Sequence, residues 1–150
     1  MIIRLANIND AEQIAKNNIL LAEESENIKI SHDITLSGVK ALLSDIKKGF
    51  YIVAIEDNQI IGQLMITFEW SDWRNTNIWW LQSLYVKKNY RRKGVFKQLI
   101  DNIKKRAAQN NVEIIRLYVY CENKKAKEVY KKINMEKKSY DIFELLIKNS

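Results

Sequence analysis

The sequence predicts an α/β fold in a single domain spanning all 150 residues. Apolar segments of strand length alternate with segments whose apolar residues recur at helical spacing, so both kinds of element are expected. Near the middle, an apolar strand runs through a basic, glycine-containing loop into an amphipathic helix, across Leu84–Phe96. With 47% hydrophobic residues, the chain is large enough for one full core.

The first half of the chain predicts a strand, two helices and a hairpin. Asn9 or Asp10 is of a residue type that caps a helix, and Gly49 suits the left-handed position after a helix. The segment Glu56–Gln59 reads as a turn. The predicted elements are a strand Ile2–Ala6, a helix to about Glu24, a loop over residues 25–34, a helix Ile34–Lys48, and strands Tyr51–Ile55 and Ile60–Trp70.

The second half predicts three further strands and two helices after a long strand that precedes the basic loop. Asn123 is placed to cap the last helix. The element order is therefore β-α-α-β-β-β-α-β-α-β-β. The predicted elements are a strand Ile78–Val86, the basic loop, a helix to about Asn110, a strand Ile114–Tyr120, the helix after Asn123, and strands Glu136–Tyr140 and Phe143–Lys148.

The basic loop Arg91–Gly94 has the features of a phosphate-binding site. The first N–H groups of a helix lack intrahelical partners and carry partial positive charge, so they bind anions. Gly94 allows close approach of the backbone, while Arg91, Arg92 and Lys93 add charge. A strand, a basic turn and a glycine also occur where nothing binds, so this motif alone leaves a structural role open.

A second segment, Asn123–Met135, identifies a family when it is combined with the loop. The two together resemble the GCN5-related N-acetyltransferase (GNAT) superfamily. In that family the pyrophosphate loop reads Gln/Arg-x-x-Gly-x-Gly/Ala, which Arg91–Phe96 matches. The later helix reads Asn-x-x-Ala-x-x-x-Tyr-x-x-x-Gly-Phe, matched by Asn123, Ala126, Tyr130, Asn134 and Met135. Three residues depart from the pattern: Phe96, expected to turn into the core, Asn134, expected as a left-handed cap, and Met135.

The resemblance implies both a fold and a reaction. The fold is one mixed, mostly antiparallel sheet of six to seven strands, flanked by about four helices and splayed between strands 4 and 5. The reaction is transfer of an acetyl group from acetyl-CoA to a primary amine of a small molecule, peptide or protein, by direct attack in a ternary complex without a metal. The implied acetyl-CoA-binding residues are Leu84, Tyr85, Val86, Arg91, Arg92, Lys93, Gly94, Val95, Phe96, Lys97, Asn123, Ala126 and Tyr130.

Within that resemblance Tyr130 is the candidate general acid. A free phenol has a pKa near 10 and a thiol near 8.5, so a tyrosine keeps its proton at neutral pH and can pass it to the departing thiolate. The alternative is a tyrosine that packs with Val129 and Ile133 on the inner face of a helix.

The general base is less defined, because strand four carries no carboxylate over Ile78–Ser83. The nearest candidates are Glu69 and Asp72, acting through a water; the alternative is that they pair with Arg74 or cap a turn. His32, the single histidine, is interpreted as a surface loop residue. Trp79 and Trp80 are adjacent in a strand, so they should face opposite sides of the sheet, and at least one is a candidate to line the acceptor cleft.

The positive charge is concentrated around the two motifs. Residues 86–138 contain 17 Lys/Arg against 5 Asp/Glu, within a net charge of +7. A polyanion such as CoA is therefore expected there, and specific nucleic-acid binding is not, because no recognition module is present. The alternatives are a non-catalytic acyl-CoA sensor and a basic nucleic-acid-binding module of the same fold. A homodimer is an open alternative to a monomer.

Cysteine use and hydropathy indicate the compartment. The single cysteine, Cys121, suits a reducing environment and is expected to be a buried, inert thiol. Apolar runs are far shorter than a membrane span, and the N-terminus begins a strand rather than a cleavable signal. We therefore expect a cytoplasmic protein that does not bind membranes.

Overall fold

The computed structural model describes residues 1–148, and the chain divides into two compact units, Met1–Tyr118 and Val119–Ser150. The first unit contains one five-stranded sheet with strand order β1-β2-β3-β4-β5. Its elements are β1 Ile2–Leu5, a 3-10 turn Ile8–Asp10, α1 Ala11–Glu26, α2 His32–Leu43, β2 Gly49–Glu56, β3 Gln59–Ser71, β4 Thr76–Val86, a 3-10 turn Lys88–Tyr90, α3 Val95–Gln109 and β5 Ile115–Leu117. The second unit contains α4, Lys124–Lys132.

The sheet is mixed and mostly antiparallel, as the resemblance implies. Strands β1 to β4 pair antiparallel in chain order, and β5 pairs parallel to β4. The β4–β5 pairing covers only Trp79–Leu81, so Gln82–Val86 continues β4 without a partner in β5. The expected parting of strands 4 and 5 therefore begins just after Leu81.

The two faces of the sheet pack against different helices. Adjacent residues of β3 show this, because Gln63 reaches α1 whereas Gly62 faces α3. An added Cβ at Gly62 would lie 2.7 Å from Cγ1 of Val95, so the absence of a side chain lets α3 approach the sheet closely. The apolar cluster under α1 and α2 consists of Ala11, Ile14, Ala15, Val39, Leu42, Tyr51, Val53 and Ile60.

Asp10 lies at the cap position of α1, as predicted, but its side chain makes no capping hydrogen bond to that helix. Asn7 caps the 3-10 turn that precedes α1: its side chain accepts a hydrogen bond from the backbone N–H of Asn9 at 2.9 Å. The Asp10 carboxylate instead accepts from the backbone N–H of Asn7 at 2.8 Å and binds Arg4 at 2.7 Å. This reciprocal capping box adds the short 3-10 turn before α1.

The limits of the second helix also differ from the prediction. Ser31 caps α2, which begins at His32 and ends at Leu43 rather than at Lys48. His32 is therefore a helical residue and not a loop residue. The helix stops because the Asp45 carboxylate accepts a hydrogen bond from a backbone N–H two residues later, which replaces the next helical turn. The predicted cap Gly49 is the first residue of β2 instead.

The two strands predicted at the C-terminal end were wrong. Residues 136–148 form neither strand nor helix, so the described chain has five strands where six to seven were expected. An alternating pattern fits a strand but supplies no hydrogen-bonding partner, and β5 itself pairs over only three residues. Large apolar side chains in this segment are exposed: Tyr140, Ile142, Phe143, Leu145, Leu146 and Ile147.

Cys121 is exposed, which corrects the expectation of a buried thiol. The reason is that β5 ends at Leu117, so no strand carries this residue into a core.

Within residues 1–148, no helix is both long and apolar enough to cross a membrane. No cluster of three or more His, Cys, Asp or Glu is placed to hold a metal ion in that part of the chain.

Candidate active site

Strand β4 contains a bulge at the position where its pairing with β5 has ended. Two residues of β4, Ser83 and Leu84, face one residue of β3, because the flanking register pairs are Gln63 with Tyr85 and Met65 with Gln82. Ser83 has φ 51, in the left-handed region that serine seldom occupies. A bulge of this kind leaves backbone groups outside the ladder. The sequence predicted this strand end but not Ser83, since serine carries no left-handed signal.

The basic loop leads into an uncapped helix. Gly94 precedes α3 with φ 84 and no side chain to accept a hydrogen bond. Within residues 1–148, the backbone N–H groups of Arg92–Lys97 donate to no acceptor, and the next N–H, of Gln98, donates to Gly94 O. These six consecutive donors therefore lack an acceptor within the described chain, and they include the first turn of α3 at the positive end of its dipole.

Arg91 is held by neighbouring residues. Its Nε donates to the backbone oxygen of Val86 at 2.8 Å, and its Nη2 lies 2.7 Å from Oε2 of Glu24. The Tyr85 hydroxyl donates to the same carboxylate at 3.1 Å. Burial and the adjacent Glu24 charge raise the pKa of Tyr85 to about 12. Arg91 therefore supports the loop, and its charge is largely compensated.

The two following cations are not compensated in this way. The Arg92 guanidinium has no ion-pair or hydrogen-bond partner among residues 1–148. The Lys93 ammonium lies over the Tyr90 ring, 5.7 Å from its centroid. Lys97 binds Asp101 at 2.7 Å and projects from the exposed face of α3. Arg92 and Lys93 are thus the cations placed beside the free N–H groups.

The apolar residues of the loop region fix its position. Tyr85 and Val95 are buried, and Leu84 and Val86 are half-buried on β4. Phe96 is half-buried rather than part of the core, which corrects that expectation. The reason is that α3 places Val95 and Leu99 against the sheet, so the side chain at 96 falls at the edge of the apolar face.

The described geometry of α4 agrees with the predicted helix limits. Asn123 Oδ1 accepts from the backbone N–H of Ala126 at 3.1 Å, which confirms the cap. At the other end, Asn134 has φ 67, as expected for a left-handed cap. The N–H of Met135 donates to Tyr130 O at 3.0 Å, and that of Asn134 donates to Lys131 O at 3.0 Å. This is a Schellman motif.

Tyr130 is half-buried, and burial raises the pKa of its phenol above the ordinary value of 10.0. The hydroxyl is therefore protonated at neutral pH. That state is the one a proton donor requires.

Glu69 and Asp72 lie toward the far end of the β3–β4 hairpin from the bulge. Glu69 pairs with Ile78, five positions beyond Leu64, which is about 17 Å along the strand. Its carboxylate accepts from Trp80 Nε1 at 3.1 Å and lies 3.6 Å from Arg116. Asp72 is exposed in the turn, and its carboxylate has no partner among residues 1–148.

The two adjacent tryptophans face opposite sides of the sheet, as predicted. Trp79 is buried and packs edge-on against Phe50, with ring centroids 5.2 Å apart. Trp80 is half-buried and stacks on Tyr118, with centroids 4.4 Å apart. Trp80 is therefore the more accessible of the two, and it lies on the face that also carries Glu69.

Solved structures resemble the whole chain. A structure described as a possible acetyltransferase from Clostridium difficile 630 has a TM-score of 0.92 and 43% identity, covering 99% of this chain and 98% of that one. A predicted acetyltransferase with acetyl-CoA from Clostridium acetobutylicum has a TM-score of 0.80 at 19% identity, covering 97% and 96%. At that identity the second similarity supports the fold alone.

Sequence comparison points the same way. A thialysine N-epsilon-acetyltransferase of Bos taurus is 30% identical over 77 residues, which is 51% of this chain. The chain spans only 45% of the length of that relative. The sequence model of the acetyltransferase (GNAT) family matches residues 12–135, a range that contains both motifs. This chain therefore belongs to the acetyltransferase (GNAT) family.

Proposed function

We propose that this chain is an acyl-CoA-dependent N-acetyltransferase domain. It transfers an acetyl group from acetyl-CoA to a primary amine of a small molecule, peptide or protein, by direct attack in a ternary complex. The observation that carries the proposal is the run of six unpaired N–H groups over Arg92–Lys97, in a chain of the GNAT family.

The pyrophosphate of CoA matches the chemistry of this run. Its oxygens accept several hydrogen bonds at once, and its negative charge is favoured at a helix N-terminus. Arg92 and Lys93 add charge at the rim without a competing carboxylate partner in the described chain. Charge-assisted hydrogen bonds of this kind are stronger than neutral ones, which favours a dianion over a neutral ligand.

The bulge at Ser83 supplies the second feature. Acyl transfer from a thioester develops negative charge on the carbonyl oxygen, and fixed backbone N–H groups stabilise that charge most effectively. The ladder is interrupted at Ser83 and Leu84, so β4 has backbone groups available there. Under this proposal the thioester lies beside the bulge.

Proton transfer completes the reaction. Tyr130 protonates the departing thiolate: a phenol is already protonated at neutral pH, and burial raises the pKa of Tyr130 further. The proton of the acceptor ammonium leaves through water, with Glu69 or Asp72 as its final acceptor. About 17 Å of strand separates Glu69 from the bulge, which is too far for direct contact with an amine that attacks there.

The Tyr130→Phe variant tests the acid role. The substitution keeps the ring but removes the proton, so we expect kcat to fall by about 10- to 1000-fold while the Kd for acetyl-CoA changes little. Thiol release with an accepted amine, followed across pH, measures the first quantity, and calorimetry measures the second. Tyr120→Phe is the matched control, because that tyrosine is exposed and nothing above assigns it a role. Unchanged turnover in Tyr130→Phe would remove this residue from the mechanism.

The same assay separates the enzyme from an acyl-CoA sensor. The wild-type protein is tested against a panel of amines with acetyl-CoA, and CoA binding is measured in parallel. Transfer to at least one amine supports the proposal. Tight CoA binding without transfer to any amine would favour the sensor instead.

A further inference from the structure

A chain of buried polar side chains crosses the apolar core between α1 and the bulge. Asn17 and Gln63 are 2% and 0% exposed. Asn17 Nδ2 donates to Gln63 Oε1 at 3.0 Å, and Gln63 Nε2 donates to Asn18 Oδ1 at 2.8 Å. Each amide thus donates to the next in one direction, starting from α1.

The chain continues to the bulge through a tyrosine. Asn18 Nδ2 donates to the Tyr51 hydroxyl at 3.1 Å, and Tyr51 is only 3% exposed. Tyr51 pairs with Met65, which in turn pairs with Gln82 directly before Ser83. The Ser83 side chain is accordingly a neighbour of this hydroxyl and offsets part of the burial that raises the pKa of Tyr51. The chain therefore ends on the residue whose φ of 51 defines the bulge.

Gln63 also reaches the bulge through its backbone. It is the register partner of Tyr85, immediately before the register shift. Gln63 thus takes part in the strand pairing on one side of the bulge. Its side chain also belongs to the hydrogen-bonded network that leads to Ser83. Through these two routes the bulge is tied to β3 and to α1.

Polar burial of this kind needs a reason beyond stability. Amides in a core bring a desolvation penalty that apolar residues of similar size avoid, and hydrogen bonds only offset it. No buried side-chain polar atom in the described chain lacks a partner. Fully satisfied networks fix one arrangement of the groups they contact. This network contacts Ser83 in its left-handed conformation. Apolar residues in the same place could not fix that conformation, because they make no hydrogen bonds.

We propose that Asn17, Asn18, Gln63 and Tyr51 are positioning residues that hold the Ser83 bulge in the conformation required for acyl transfer. They act through Ser83 and do not touch the substrate. The catalytic part of this inference rests on the proposed function, while the structural part concerns the free protein alone. A fixed backbone donor stabilises a developing oxyanion far better than one that must reorganise during the reaction.

Three variants test the catalytic part: Tyr51→Phe, Ser83→Ala and the double variant. We expect each single change to lower kcat by about 10-fold, because a small misplacement of a catalytic donor is costly. The Kd for CoA, whose pyrophosphate site lies at Arg92–Lys97, should stay within about twofold of wild type. Ser83→Ala removes one of the interactions that Tyr51→Phe also removes, so the double variant should lose about 10-fold rather than about 100-fold.

The free protein supplies an independent measurement. Amide hydrogen exchange over Ser83–Val86 should quicken by about 10-fold in Tyr51→Phe and in Ser83→Ala, with exchange in α3 unchanged. Tyr120→Phe, an exposed tyrosine, should leave both exchange and kcat unaltered. This measurement needs no turnover, so it decides the structural part even if the wild-type protein acetylates nothing.

The outcomes separate the two ideas. Faster exchange at the bulge with lower kcat supports the inference in full. Faster exchange in a protein that transfers no acetyl group would reject the proposed function and retain the structural part. Unchanged exchange in both single variants, or multiplicative losses of kcat in the double variant, would overturn the inference. If Tyr51→Phe does not fold, Ser83→Ala, whose side chain is half-buried, still gives both readings.

Discussion

The first turns of α2 and α3 begin in opposite ways, although both helices belong to the same unit. At α2 the Ser31 hydroxyl accepts from the backbone N–H of Ile34 at 3.3 Å, and Asp33 places negative charge in the first turn. At α3 Gly94 offers no side-chain acceptor, and the first turn contains no acidic residue. At α2 a side chain of the protein accepts a hydrogen bond from a first-turn N–H group. At α3 the first-turn N–H groups have no acceptor in the described chain.

The two helix N-termini also differ in how their charged residues are paired. A cation near a helix N-terminus is unfavourable by about 0.3–1 kcal/mol, yet Arg92 and Lys93 precede α3 without a carboxylate partner in the described chain. At α2 the basic residue His32 is held by Glu12, with Nε2 and Oε1 2.7 Å apart. A helix N-terminus that is uncapped and flanked by cations lowers the stability of the helix, but it favours the binding of an anion. The predictions below test this difference.

The largest expected effect is loss of CoA binding in Gly94→Val. A β-branched residue is strained at φ 84, and its methyl groups would occupy the approach to the free N–H groups. Losing several charge-assisted hydrogen bonds should weaken binding by about 100-fold or more in calorimetric titration. Gly38→Val is the matched control, since Gly38 lies in α2 with nothing within 4 Å of an added Cβ. Wild-type affinity in Gly94→Val would place the phosphate site elsewhere.

A smaller loss is expected when one cation is removed from the loop. Lys93→Ala should weaken CoA binding by about 1–2 kcal/mol, the scale of one charge-assisted hydrogen bond. The loss should shrink as salt is added. Lys105→Ala makes the same charge change on an exposed position of α3 far from its N-terminus, and it should leave the Kd nearly unchanged. Equal losses in the two variants would show that only net charge matters.

At α2 the effect should fall on stability and not on binding. Ser31→Ala removes the cap and should lower the free energy of unfolding by about 1 kcal/mol, with CoA affinity unchanged. Denaturant titration measures the difference. Ser37→Ala is the control, because that serine is exposed within the same helix and alanine is the better helix former there. A loss of CoA affinity in Ser31→Ala would contradict the division of roles between the two helices.

The smallest effect concerns pH. Hydrogen bonds from His32 to Glu12 and Asp33, with the charges of both carboxylates, raise the pKa of His32 above 6.5. Its folded pKa is the higher one, so this contribution is complete below about pH 6.5 and is lost as pH rises through the folded value. The Tm should therefore decline slightly above pH 6.5. In Glu12→Gln the decline should flatten, and an equal decline in both proteins would exclude His32 as its source.

Much of the fold followed from pattern. The strand–loop–helix at Leu84–Phe96 and the helix after Asn123 were predicted with limits close to those observed, because their apolar periodicity and caps are local properties. The start of α2 was predicted two residues late, at Ile34 rather than His32, because Ser31 and Asp33 are both residue types that cap a helix. The strands predicted after Glu136 do not form, because pairing depends on an edge supplied elsewhere in the chain.

The sequence by itself determined the family, the basic loop and the residue types beside it, since these rest on short spacings along the chain. Only the tertiary structure decided that Arg91 is held by Glu24 while Arg92 is not, because that pairing joins α1 to a loop 67 residues away. It also decided that Ser83 takes a left-handed conformation. The left-handed conformation arises because β4 has two residues where β3 has one, between two register pairs. No local property of serine predicts this mismatch.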